Sequence, residues 1–120
     1  MTKPATRMSK GRNGWEAKTE LPLDGITRED HTGTCPAILT ISTMKTSRGG
    51  LVTSCSVAFR SGMFMSHRLY EDFSQRYTYA PNARCTEKAV ATMQDQALAD
   101  LALIEQAARD HYAGREQTAD

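Results

Sequence analysis

The chain has no apolar run near the roughly 20 residues that a membrane-spanning helix needs, so no membrane-embedded segment is expected. No apolar stretch follows its first basic residues either, which speaks against a secretion signal. Cysteine is scarce: Cys35, Cys55 and Cys85 lie far apart, with no Cys-x-x-Cys spacing. An odd, dispersed set fits neither a disulfide framework nor a zinc module, and a reducing cytoplasm is the expected setting. A phosphate-binding loop is missing, because Gly49-Gly50 is not followed by Lys-Ser/Thr. No cofactor is expected. Nor is there an excess of charge: the net charge is +1 over 120 residues, the profile of one folded globular domain rather than of a disordered chain.

What is present is a segregation of charge along the chain. Residues 1–14 carry Lys3, Arg7, Lys10 and Arg12 and no acid. Residues 15–36 are acidic on balance. Residues 37–84 hold Lys45, Arg48, Arg60, Arg68, Arg76 and Arg84 against Glu71 and Asp72, and residues 85–112 are acidic again. The first block, polar and basic, reads as a flexible arm over 1–14. A single domain is expected over 15–114, with a frayed tail at 115–120.

Trp15, Ala17, Thr19 and Leu21 alternate with Glu16, Lys18 and Glu20, the period of a half-buried strand. Pro22 is expected to stop that strand or place it at an edge. Asp24 to Pro36 reads as a long loop of turn-forming residues. Two tight turns are then expected, each three residues long and each ending in glycine. Around Arg48-Gly49-Gly50, Leu39 faces Phe59, Ile41 faces Val57, Thr43 faces Cys55 and Ser47 faces Leu51. Around Arg60-Ser61-Gly62, Phe59 faces Met63, Val57 faces Met65, Cys55 faces His67 and Thr53 faces Leu69. These registers sort the apolar residues to one side. Burying each Leu, Val or Phe stabilises by ~1.5–3 kcal/mol, more than any preference between loop types. The strand is expected to continue past Tyr70, bend or bulge, and end at a Pro81-Asn82 turn.

Thr86 is a plausible N-cap. Beyond it Val90, Met93, Ala97, Leu101, Ile104 and Ala108 recur at spacings of three and four, the stripe of one long amphipathic helix that Gly114 would stop. The fold class is therefore α+β: a two-layer sandwich, an antiparallel meander of about four strands with one long C-terminal helix on one face. That order of elements resembles the architecture of Whirly-type single-strand-binding proteins, a likeness of fold alone.

A helix covers one side of such a sheet. The other would present Thr40, Ser42, Thr46, Ser54, Ser56 and Ser66, with Phe64, Tyr70, Met44 and Val52 among them, Arg68 nearby, and Arg48 and Arg60 at the loop tips. The expected function is non-enzymatic: a small accessory or regulatory protein that docks on a macromolecule through Arg48, Arg60, Phe64, Arg68 and Tyr70. A protein partner or self-association comes first. Single-stranded nucleic acid comes second, because bases stack on aromatic rings and phosphates meet cations. The Arg-Gly-Gly triplet is turn chemistry before it is an RNA-binding element. A third reading is an enzyme using His31 and Cys35 in the 24–36 loop as base and nucleophile, with Asp30 or Glu29 orienting the imidazole. A metal site would need His67, Cys55, Cys85 and His31 to converge, which the spacing does not require.

Overall fold

The computed structural model describes residues 5–30, 33–60 and 69–118; the side chains of residues 30, 60, 69–72 and 114–118 stand outside the description. Five strands form one antiparallel sheet in chain order: β1 (Thr6–Gly11), β2 (Gly14–Asp30), β3 (Gly33–Lys45), β4 (Leu51–Arg60) and β5 (Leu69–Ala80). Two helices follow, α1 (Glu87–Ala99) and α2 (Leu101–Thr118). The class is α+β, as expected, with one more strand and one more helix.

The extra strand comes from the basic N-terminal stretch. It is not a free arm between residues 6 and 11: Gly11 pairs with Gly14 across a two-residue turn, and Met8 pairs with Ala17. Met8 packs against the cluster that holds Trp15, and the Thr6 and Thr19 hydroxyls are 2.7 Å apart. Arg12 and Asn13 form the turn, and Gly14 just after it takes a positive φ of 103°.

The loop expected over 24–36 is also largely strand. β2 runs past Pro22 to Asp30 and pairs with β3 again from Thr27↔Pro36 onward, after an irregularity between Pro22 and Thr27. The irregularity accommodates the missing amide of Pro22 and the positive φ of Gly25. Leu23 on this stretch is buried, and its burial offsets the unfavourable strand propensity around it.

Both hairpin registers differ from expectation, in different ways. The β3–β4 ladder pairs Leu39 with Val57, Ile41 with Cys55 and Thr43 with Thr53, ending at Lys45↔Leu51. Every partner is displaced by two residues. Within the connection, Gly49 N–H donates to Thr46 O (3.2 Å) and Thr46 N–H donates to Gly50 O (3.1 Å). The tip is thus a trio, Ser47-Arg48-Gly49, one position earlier than anticipated. A shift of two leaves every side chain on its expected face, so Leu39, Ile41, Thr43, Leu51, Cys55, Val57 and Phe59 are all buried on one side.

The β4–β5 pairing departs further. Phe59 faces Tyr70 rather than Met63, Val57 faces Phe73 and Cys55 faces Gln75. Arg60 pairs with Leu69 where Thr53 was expected to. Met63, Met65 and His67 lie outside the described residues. Packing explains the choice: Phe73 and Tyr77 lie against the main core, two large rings that the expected register left unassigned. The anticipated bulge is present twice, between Thr53 and Ser54 and between Val57 and Ala58.

The helices cover the side that holds Leu39, Ile41 and Val57. The main core joins Leu23, Cys35, Ala37, Leu39, Ile41, Cys55, Val57 and Phe59 to Ala97, Ile104, Ala108 and Tyr112. A smaller core joins Ala17 and Leu51 to Val90 and Met93. Between them lies Gln94, fully buried. Its amide donates to Thr19 Oγ1 (2.9 Å) and to Ile41 O (2.8 Å), and its carbonyl accepts from Thr43 Oγ1 (2.7 Å). Because the Thr43 hydrogen goes to Gln94, the Thr53 hydroxyl donates to Thr43 across 2.7 Å. Every hydrogen-bonding atom of the Gln94 side chain is engaged without water.

Thr86 caps α1, its hydroxyl accepting from Ala89 N–H at 3.1 Å. The single helix breaks at Asp100 (φ −103°, ψ 21°), whose carboxylate accepts a hydrogen bond from the Tyr77 hydroxyl. Gly114 does not end α2. A glycine inside a helix costs only about 1 kcal/mol relative to alanine, and Arg115, Glu116 and Gln117 are good helix formers. Arg109 holds α2 to the sheet, donating to Asp24 O at 2.9 Å. Among the described residues no helix is long and apolar enough to cross a membrane.

Candidate functional site: the open sheet face

Strand alternation sends Thr40, Ser42, Ser54 and Ser56 to the face opposite the helices, where all four are half-buried. One cross-strand rank spans the whole sheet. Arg7 pairs with Lys18, Lys18 with Ser42, Ser42 with Ser54, and Ser54 with Arg76. Four strand spacings make this rank about 19 Å wide. It reads cation, cation, hydroxyl, hydroxyl, cation. None of Arg7, Lys18 and Arg76 forms an ion pair among the described residues, where Arg109–Glu105 on α2 is the pair found. The next rank holds Glu20, Thr40, Ser56 and Ser74.

Apolar side chains of the face lie at both ends, Pro22, Ile38 and Ala58 at one and a second group at the other. Met44 pairs with Val52, and Val52 with Tyr79. Met44 is 37 % exposed and Tyr79 39 %. The Arg76 guanidinium lies 5.4 Å from the Tyr79 ring centroid, and the Tyr79 hydroxyl donates to Gly49 O at 3.3 Å. That bond and the Thr46 hydroxyl, which donates to Gly49 O at 2.6 Å, fix the tip that carries Arg48.

Of the contact residues expected from sequence, Arg48 lies at this end of the face. Phe64 and Arg68 lie outside the described residues. Arg60 and Tyr70 are placed by backbone only, Arg60 opposite Leu69 and Tyr70 opposite Phe59. Sequence reasoning missed Arg7, Lys18, Arg76 and Tyr79 as members of one surface. Lys18 was visible on the polar side of its strand. Arg7 needed β1 to be recognised, and Arg76 and Tyr79 needed the bulge at Tyr77, which returns both to the open face.

Cys35 is wholly buried in the main core, and His31 lies outside the described residues. Cys55 is buried too, and burial pushes its thiol above the ordinary value. Cys85 belongs to the other end of the molecule, its Sγ 3.3 Å from Trp15 O, so it does not converge with Cys55. No cluster of three or more metal-ligating side chains occurs among the described residues.

No protein-family model matches the chain, and neither the curated proteins nor the solved structures contain a significant match.

Proposed function

We propose that the protein is a non-enzymatic binding module whose open sheet face seats a macromolecular partner of negative charge. The observation that carries this reading is the rank from Arg7 to Arg76, three cations without an ion pair among the described residues, on a face that the helices leave bare. Glu16 and Glu20 flank Lys18 on the same face, yet the rank still sets cations at both margins of the sheet, which raise the local concentration of an anionic partner and speed its capture. Hydroxyls between them donate hydrogen bonds to anionic oxygens without fixing a sequence.

Elution from an immobilised polyanion along a salt gradient tests it. Wild type should be retained at low salt, and an Arg7→Ala/Lys18→Ala variant should elute distinctly earlier. Lys88→Ala, on α1, should elute with wild type. Flow-through of the wild type at low salt would sink the proposal, as would equal retention of the open-face variant.

A second reading is favoured by Met44, Val52 and Tyr79, an apolar patch on the same face. Such a patch suits a protein surface or a second copy of the chain. Sedimentation equilibrium over a range of concentrations decides this: self-association through the patch gives twice the chain mass, and a Met44→Glu variant returns it to 13.3 kDa. A mass of one chain at all concentrations removes the homodimer.

A further inference from the structure

The open-face reading leaves the chemistry of the anionic partner general, and a notch on that face narrows it. Thr46, Ser47, Arg48, Val52, Arg76 and Tyr79 line a cavity of about 480 Å3 between the β3–β4 tip and the end of β5. That volume falls in the ~300–1,000 Å3 range of sites for small molecules. We propose that this notch seats one nucleotide of a single-stranded nucleic acid, its phosphate between Arg48 and Arg76 and its base on the Tyr79 ring. The inference rests on the open face being a binding surface.

Two observations carry it. Two guanidinium groups line one cavity, and neither has an ion-pair partner among the described residues; planar paired donors suit phosphate oxygens. An aromatic ring is exposed beside them and held in place, Tyr79 by its bond to Gly49 O and by Arg76 over the ring. A bare polyanion has no use for that ring, whereas every base has a flat face to stack on it.

The test compares two labelled ligands by fluorescence anisotropy: an oligothymidylate on the order of 12 nucleotides long and an abasic oligomer with the same backbone. Wild type should bind the oligothymidylate roughly 5–150-fold more tightly for each base stacked. Tyr79→Leu should bring its affinity down toward the abasic value with the salt slope unchanged. Tyr79→Phe, which loses the bond to Gly49 but keeps the ring, should bind like wild type. Arg48→Ala should weaken both ligands and reduce the slope of log affinity against log salt by about 0.7. Equal wild-type affinity for the two ligands, or no effect of Tyr79→Leu, overturns the notch while leaving retention by Arg7 and Lys18 on the polyanion matrix intact. Failure to bind either ligand at low salt, together with flow-through on that matrix, overturns the open face itself. Concentration-dependent dimer mass with no oligonucleotide binding assigns the notch to a protein interface and also overturns the inference.

Discussion

At Gly50 an added Cβ would stand 2.5 Å from the Ala80 carbonyl oxygen and 2.7 Å from Pro81 Cα, whereas at Gly49 it would meet open space. Both residues have positive φ, 95° at Gly49 and 82° at Gly50. Gly49 thus supplies the left-handed end of a three-residue tip, a position that alanine fills at a cost of roughly 1–2 kcal/mol. Gly50 bears that cost and a backbone collision besides, because the turn closes directly on the corner between β5 and α1. Gly50→Ala should therefore lower the urea midpoint clearly more than Gly49→Ala does. Equal midpoints would show that the corner at Pro81 yields. The notch sits at the same tip, where Gly49 O accepts from the Tyr79 hydroxyl.

Among the elements, the C-terminal helix pair turns on one side-chain contact. The bulge between Thr53 and Ser54 leaves Tyr77 without a partner on β4, and its hydroxyl donates to the Asp100 carboxylate at the break between α1 and α2. That hydrogen bond, then desolvation and the charge of Asp100, raise the Tyr77 pKa above its ordinary value. A raised acid favours the neutral form in the folded protein. Its contribution is therefore complete below the unfolded tyrosine value near ~10 and is lost as pH rises through the folded value. Wild type should lose stability on titration above about pH 10, and Tyr77→Phe should flatten that part of the profile while lowering stability at neutral pH. A Tyr77→Phe profile parallel to wild type at alkaline pH would exclude the contact as its source.

The same elements mark how far the sequence could be read. Alternation in residues 39–59 assigned every buried side chain to its face, because burial of Leu39, Ile41, Val57 and Phe59 depends on parity alone. It could not fix register, since a slip of two preserves parity and only the bonds of Thr46 to Gly49 and Gly50 choose the tip. Thr86 was legible as a cap because capping is local. The break at Asp100 was not, because it depends on Tyr77, 23 residues earlier. Of the candidate surface, Arg48 was visible as a turn residue. The rank of Arg7, Lys18 and Arg76 was hidden, since it exists only once five strands are aligned.

Across the whole molecule the two cores are joined by polar atoms. Thr6, Thr19, Gln94, Thr43 and Thr53 form one hydrogen-bonded series from β1 to β4, with α1 supplying the middle member. Threonines at core-facing positions of three different strands were the sequence signal that a polar partner must exist. Gln94→Leu removes that partner and leaves Ile41 O and two hydroxyls with fewer bonds, at about 1–3 kcal/mol for each group left unsatisfied. Chemical denaturation should register a loss of at least about 2 kcal/mol, and Gln94→Glu at neutral pH should be no milder, because it buries a charge. A neutral Gln94→Leu would mean that the two cores hold the helices without it.

The double bulge of β5 has one more effect. A last strand offers its free amides and carbonyls to any other chain, and a regular row of them invites sheets to grow end on. Here the row is interrupted at Asp72 and again at Tyr77, so a stranger's strand would find matching partners for only a few residues before falling out of step. The meander can thus leave a margin bare without seeding a fibre.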